Sequence, residues 1–199
     1  MKARVRGFEI FADHGNTLSF DHSTAIRLAD PSVHTIIADQ ARERLVIGTK
    51  YGITVLDPFR GATSSFEFSP GIEINTMERQ NIGGSDFLLL GSNIGFHAIP
   101  LENGLPILES SETWEIGSIS VISALKSESF EVDLLLMGDQ SAWKTRLSDE
   151  ENIGELVFSS LESLSSLLSE ANATVTSAAH AKIFGRTPLL FVGTNFGLI

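Results

Sequence analysis

The segment "LVIGTKYGI" (Leu45–Ile53) sets three apolar residues directly against Gly-Thr-x-x-Gly. Close copies follow at "LLLGSNIGF" (Leu88–Phe96) and "LFVGTNFGL" (Leu190–Leu198), with a weaker one at "LLMGDQSAW" (Leu135–Trp143). Self-similarity at a regular interval marks a repeat architecture. Aligned on the glycine that closes each apolar run, Gly48, Gly91, Gly138 and Gly193, the copies are 43, 47 and 55 residues apart. A four-stranded β-propeller blade takes roughly 40–50 residues. The longest step therefore implies an insertion.

Each unit divides into four short strands. The first strands are expected at Val33–Asp39, Ile74–Gln80, Val121–Ser127 and Val175–Ala181, which share a hydroxyl position: Thr35, Thr76, Ser123 and Ser177. The apolar runs Leu45–Ile47, Phe87–Leu90, Leu134–Met137 and Leu189–Val192 are the second strands. They do not alternate, as expected of a strand covered on both faces. Gly-Thr-x-x-Gly is a hairpin turn, its glycines expected to supply backbone angles that a Cβ forbids. Third strands follow from Gly52, Gly95 and Ala142, and fourth strands are expected at Thr63–Phe68, Leu105–Ser110 and Glu155–Ser160. "NIGG" (Asn81–Gly84) reads as a hairpin turn.

The chain parses as one domain over residues 1–199: a half blade at 1–30, blades at 31–70, 71–116 and 117–172, and a half blade at 173–199. Arg6–Phe20 supplies third and fourth strands at one end, and "GTNFGLI" begins a third strand at the other. The fold class is all-β, a β-propeller of about four four-stranded antiparallel blades or a partial ring, with one short helical insertion. Two closures remain open: a ring sealed by both termini, or a segment completed by a longer parent or a second chain.

That insertion spans residues 159–172. Leu161, Leu164, Leu167 and Leu168 recur at helical spacing after Ser159 or Ser160 as cap. Such a helix packs on its own propeller, or Leu161, Leu164 and Leu168 dock it in a partner groove.

Residues "IIADQARERLVIGTKYGITVLD" (Ile36–Asp57), with the weaker copies, resemble the β-propeller repeats of bacterial sensor ectodomains and related WD40-like proteins. The resemblance implies the architecture. The chain departs from true WD40 repeats in having neither a Trp-Asp dipeptide nor a Gly-His pair, and Val46 stands where that family often has Trp. Shared fold does not confer shared activity.

Composition narrows the function classes. The 199 residues are 42% hydrophobic, enough for a sizeable core. Fourteen basic residues against 25 acidic leave a net charge of −11, which disfavours nucleic acid and anionic membranes as partners. The absence of cysteine excludes disulfides and Cys-based zinc sites. "MKARVRGFEIFADHGN" does not read as a signal peptide, and no apolar run approaches the roughly 20 residues of a membrane span, so a cytoplasmic protein is expected.

No catalytic set emerges, and no cofactor or metal is expected. His14, His22, His34, His97 and His180 form no metal-ligating spacing; His34 and His180 fall in innermost strands, as hydrogen-bonded structural residues. Asp13, Asp39 and Asp57 read as turn residues bonding nearby amides. Trp114 and Trp143 are expected between blades. The turns between second and third strands carry Lys50, Tyr51, Asn93, Asp139, Gln140 and Asn195. Equivalent turns of successive blades share one rim, so these six form a candidate binding ring at the channel mouth. The expected function is a non-catalytic protein-interaction or scaffold module whose partner is another protein or a second copy. The alternative is a small-ligand sensor or propeller enzyme using those polar residues.

Overall fold

Each glycine-closed apolar run lies in the second strand of an antiparallel sheet, and the runs Leu45–Ile47, Phe87–Leu90 and Leu134–Met137 pair on both edges while burying side chains on both faces. The computed structural model describes residues 8–10, 13–14, 17–18, 24–26, 32–57, 62–127, 130–138, 141–149, 156–163, 175–181, 189–194 and 197–198. Side chains are described for 32–57, 63–124, 130–138, 141–149, 156–157, 175–177 and 192–194.

At the N-terminal side, Phe8–Ile10 (β1), Asp13–His14 (β2), Thr17–Leu18 (β3) and Thr24–Ile26 (β4) form two small pairs, β2 with β3 and β1 with β4. The partner of Phe8–Ile10 thus lies beyond Phe20, not within Arg6–Phe20 as expected.

The first complete sheet runs β5 (Val33–Asp39), β6 (Arg44–Thr49), β7 (Gly52–Asp57) and β8 (Ala62–Glu67), paired in that order. The second holds β9 (Ile74–Ile82), β10 (Ser85–Ser92) and β11 (Phe96–Glu102). Its outer edge is shared by β12 (Leu105–Pro106) and β13 (Glu112–Trp114), both paired with β11. The third is β14 (Val121–Ser127), β15 (Glu131–Met137), β16 (Ala142–Ser148) and β17 (Val157–Ser163); the last is β18 (Val175–Ala181), β19 (Leu189–Thr194) and β20 (Gly197–Leu198). First strands of successive sheets stand side by side, β5 against β9, β9 against β14, and β14 against β18. These are propeller blades.

The apolar runs divide their side chains between two interfaces. Leu88 and Leu90 face the first blade, packed with Val46 and Val55. Phe87 and Leu89, on the other face of the same strand, pack with Leu134 and Leu136 of the third blade. Leu135 and Met137 then turn toward Val175 and Val192 of the last unit. Period-2 geometry sends neighbours to opposite faces, so continuous apolarity is what a two-sided strand requires. Each fully buried Leu or Phe contributes about 1.5–3 kcal/mol.

The repeat glycines act through space rather than through backbone angle, contrary to the sequence expectation. Thr35 sits opposite Gly48, Thr76 opposite Gly91, and Ser177 opposite Gly193. A Cβ on Gly48 would come within 2.7 Å of the Thr35 methyl, and one on Gly91 within 2.7 Å of the Ile119 carbonyl oxygen. A Cβ on Gly52 or Gly95 would collide with the carbonyl oxygen of Phe66 or Trp114 in the outer strand. The third unit is degenerate in register as well as in sequence: Ser123 lies opposite Leu135, and the pairing shifts at Ala124–Lys126. Positive φ belongs instead to Gly83 (62°) and Gly84 (83°), which close the predicted β9–β10 hairpin.

Two further expectations are corrected. The second blade's outer strand is not Leu105–Ser110. Asn103 and Gly104, both at positive φ, turn the chain back for a two-residue strand, Ile107 N still donates to Pro100 O at 3.0 Å, and the path then leaves the sheet through a 3-10 turn at Leu108–Ser110. Trp114 then returns opposite Phe96, their rings stacked at 5.4 Å. Trp114 and Trp143 both pack against the apolar cluster between the second and third blades, as the sequence predicts.

The helix expected from Ser159 does not begin there. Val157–Ser163, including Leu161, is strand, paired with β16 from Ser148↔Val157 to Trp143↔Ser163. A narrow, serine-rich helical face gains little by itself, whereas pairing on the open edge of β16 satisfies the backbone. Leu164 and Leu168 lie outside the described residues.

Candidate functional site

The β6–β7 and β10–β11 turns are built alike. Thr49 Oγ1 donates to Gly52 O at 3.1 Å, and Ser92 Oγ donates to Gly95 O at 3.1 Å. Ser92 Oγ also accepts the N–H groups of Ile94 and Gly95, at 3.2 and 3.1 Å. A short hydroxyl at this position thus ties the turn to itself.

Three of the predicted ring residues fall on this rim. Lys50 Nζ lies 2.9 Å from Glu73 Oε1 and 5.4 Å from the centre of the Tyr51 ring. The hydrogen bond and charge of Glu73 hold the Lys50 ammonium above its ordinary pKa. Asn93 converges on the same connection between blades. Its Oδ1 accepts from Glu73 N at 2.9 Å, its Nδ2 donates to Gly71 O at 2.8 Å, and its own N–H donates to Glu73 O at 3.1 Å. Lys50 and Asn93 are therefore brought together by Glu73, which the sequence reading did not single out, and Asn93 is committed to holding the loop. Tyr51 stands 53% exposed. Asp139, Gln140 and Asn195 lie outside the described residues.

Behind the rim runs a buried polar chain. His97 Nε2 is 2.7 Å from Ser92 Oγ, and His97 Nδ1 is 2.9 Å from Thr113 Oγ1. Ser92 is fully buried and His97 nearly so. Burial lowers the His97 pKa. The chain links the turn, the third strand and the outer strand of one blade, and Ser92 has no access for a substrate. His34 is also hydrogen-bonded, with Nδ1 2.6 Å from Ile74 O of the next blade.

At the opposite end of the blades lies an ionic cluster that sequence reasoning missed. Asp39 is nearly fully buried, yet its side chain bonds no neighbouring turn amide. It accepts instead from Arg79 Nη1 of the next blade at 2.5 Å and from Arg42 Nη1 at 3.3 Å. Arg79 Nη2 reaches Asp86 at 2.6 Å, and Asn81 Nδ2 donates to the other Asp86 oxygen at 3.0 Å. Burial pushes the Asp86 carboxyl up, but the Asn81 and Arg79 hydrogen bonds and the charges of Arg79 and Arg42 carry it below its ordinary value. Gly104 packs against Arg42, and Arg44 Nη1 donates to Asn103 O at 3.2 Å. One signal was available. Asp86 and Asp133 sit at the same offset before Gly91 and Gly138, and Asp133 likewise accepts from Arg146 Nε, at 2.7 Å.

Among the described residues no group of three or more His, Asp or Glu side chains is arranged to hold a metal ion. No helix among them is long and apolar enough to cross a membrane.

No protein-family model and no curated protein matches the chain. Solved structures do. BBS1N, solved in complex with ARL6DN, aligns with a TM-score of 0.53 at 17% identity, over 81% of this chain and 45% of that one. A protein of unknown function from Bacteroides caccae aligns with a TM-score of 0.51 at 12% identity, over 93% of this chain and 61% of that one. The chain thus spans about half the length of these neighbours. The likeness is one of fold, and with the four-stranded antiparallel blades it makes this a β-propeller-like protein.

Proposed function

We propose that this chain is a non-catalytic protein-interaction module, cytoplasmic, with the rim around Lys50, Tyr51 and Asn93 meeting a protein partner or a second copy. The observation that carries this reading is the setting of Tyr51. Its ring is half exposed on a turn whose backbone is pinned on both sides: Lys50 N donates to Ser32 O at 3.1 Å, and Phe68 N to Tyr51 O at 3.0 Å. An exposed aromatic on a rigid turn loses little entropy on binding, which is why tyrosine is enriched among energetically dominant interface residues. The polar groups behind it, Ser92, His97 and Asn93, are spent on internal bonds. The neighbour BBS1N, solved in complex with ARL6DN, supports the reading by analogy of fold. Asp139, Gln140 and Asn195 extend the same rim if the remaining turns follow the repeat.

Capture of partners by the purified chain, compared with Tyr51→Ala and Lys50→Glu variants of unchanged circular dichroism, tests this. A stoichiometric protein whose capture falls at least about tenfold in both variants is expected. Native mass spectrometry showing a bound small molecule, lost in the same variants, would instead favour a ligand sensor.

A further inference from the structure

The outer strand of the first blade is an open edge among the described residues. Strand β8 closes the order β5-β6-β7-β8 with no partner on its far side among the described residues. It pairs with β7 through six successive residues without a register shift, from Gly52↔Glu67 to Asp57↔Ala62. Exposed edges are usually blunted by lysine, proline or a bulge, and Ala62–Glu67 contains none of these. Antiparallel pairing alternates between bonded and non-bonded pairs. Since Phe68 N donates to Tyr51 O, the residues turning their N–H and C=O groups outward are Thr63, Ser65 and Glu67, all exposed.

Beside this edge the detour of the second blade leaves a groove. Phe66 forms one wall, and Leu105, Pro106, Ile107 and Leu108 form the other. Phe66, Leu105 and Leu108 rest on the apolar cluster between the blades, so the floor is fixed from below. Glu102 and Glu109 stand at the groove, while Glu67 on the strand faces the other side of the sheet from Phe66. All three are exposed, and none is ion-paired among the described residues.

We propose that β8 and this groove bind an extended peptide with alternating apolar and basic side chains, added as a further strand. The edge supplies main-chain hydrogen bonds, and the groove takes every second side chain. The groove-facing positions take lysine or arginine, whose aliphatic stems lie along Leu105–Leu108 while Glu102 and Glu109 meet the charge, and the alternate apolar positions fall on the other face. A second copy of the chain is the poorer occupant, because at −11 it brings like charge to an acidic groove and β8 itself carries no basic residue. This rests on the interaction-module reading but uses the groove of Phe66 and Leu105–Leu108, which Tyr51 does not line.

The test is fluorescence anisotropy of a labelled peptide of alternating Lys and Val with the purified chain at low ionic strength. Saturable binding that weakens with salt is expected. It should fall at least about tenfold for Ser65→Pro, which removes an outward donor together with the 3.4 Å contact of Ser65 Oγ with Thr54 Oγ1, and for the double variant Glu102→Lys, Glu109→Lys, whose sites are exposed. The same peptide N-methylated at alternate residues should not bind. Tyr51→Ala should leave peptide binding unchanged, which separates failure of this inference from failure of the rim reading. Absence of saturable binding, equal binding of the N-methylated peptide or of an alternating Glu-Val peptide, or unchanged affinity in the double variant overturns it. So does a concentration-dependent dimer in sedimentation that Ser65→Pro abolishes, which assigns the edge to a second copy.

Discussion

Arg79 of the second blade donates to the buried carboxylate of Asp39 in the first, at 2.5 Å, while its other terminal nitrogen holds Asp86 of its own blade at 2.6 Å. One planar guanidinium thus fixes the relative position of two sheets. Removing it leaves Asp39 without its shortest partner in a site almost without solvent. Arg79→Ala is expected to destabilise the protein by about 3 kcal/mol, the low end for a broken buried pair, because Arg42 remains 3.3 Å from Asp39. Arg79→Lys should recover only part, since an ammonium cannot span both carboxylates. Urea denaturation checks both. Asp86 titrates below its ordinary value in the folded state, so its contribution is present above the unfolded pKa and disappears as pH falls through the folded one.

The glycines should rank by what a Cβ would meet. Gly95→Ala meets the Trp114 carbonyl, which is backbone and cannot yield, and is expected to cost about 3 kcal/mol. Gly48→Ala meets the Thr35 methyl and the flexible Met77 thioether and should cost about 1 kcal/mol. Gly84→Ala has open space around it and should cost only the left-handed conformation, about 1–2 kcal/mol. Denaturation midpoints at constant slope give the order, and a Gly95→Ala protein as stable as the parent would contradict the close approach of the outer strand.

His97 gives a second dependence on acidity. Burial lowers its pKa in the folded state. Unfolding returns the ring to water and to its ordinary value of about 6.5. As pH falls, the unfolded chain takes up the proton first, so stability is complete above about 6.5 and declines toward the depressed folded value. The difference in unfolding free energy between the parent and His97→Gln should therefore shrink between neutral and mildly acidic pH. A constant difference would place the ring in solvent.

The strands that carry the fold were legible because their signals are local. Leu45–Ile47 and Phe87–Leu90 announce two-sided burial by lacking alternation, and Val33–Asp39, Val121–Ser127 and Val175–Ala181 are strands over the predicted residues. What escaped depended on distant partners. Asp39 and Arg79 are 40 residues apart, and nothing near Asp39 distinguishes an inter-blade ion pair from a turn cap. The spacing of Leu161 and Leu164 suited a helix, but the free edge of β16 offered 157–163 a better use. Lys50 and Asn93 meet at Glu73, which lies in a connection that does not repeat and so gave no signal.

Because Leu88 and Leu90 answer to one neighbour while Phe87 and Leu89 answer to the other, a blade has no interior of its own. Its hydrophobic material is owned jointly, half at each border. A sheet emerging first during synthesis would stay greasy on its trailing side until the next one docked, so folding should spread along the chain like a closing fan. Damage should travel the same way, with the loss of any one sheet stripping cover from both of its neighbours at once.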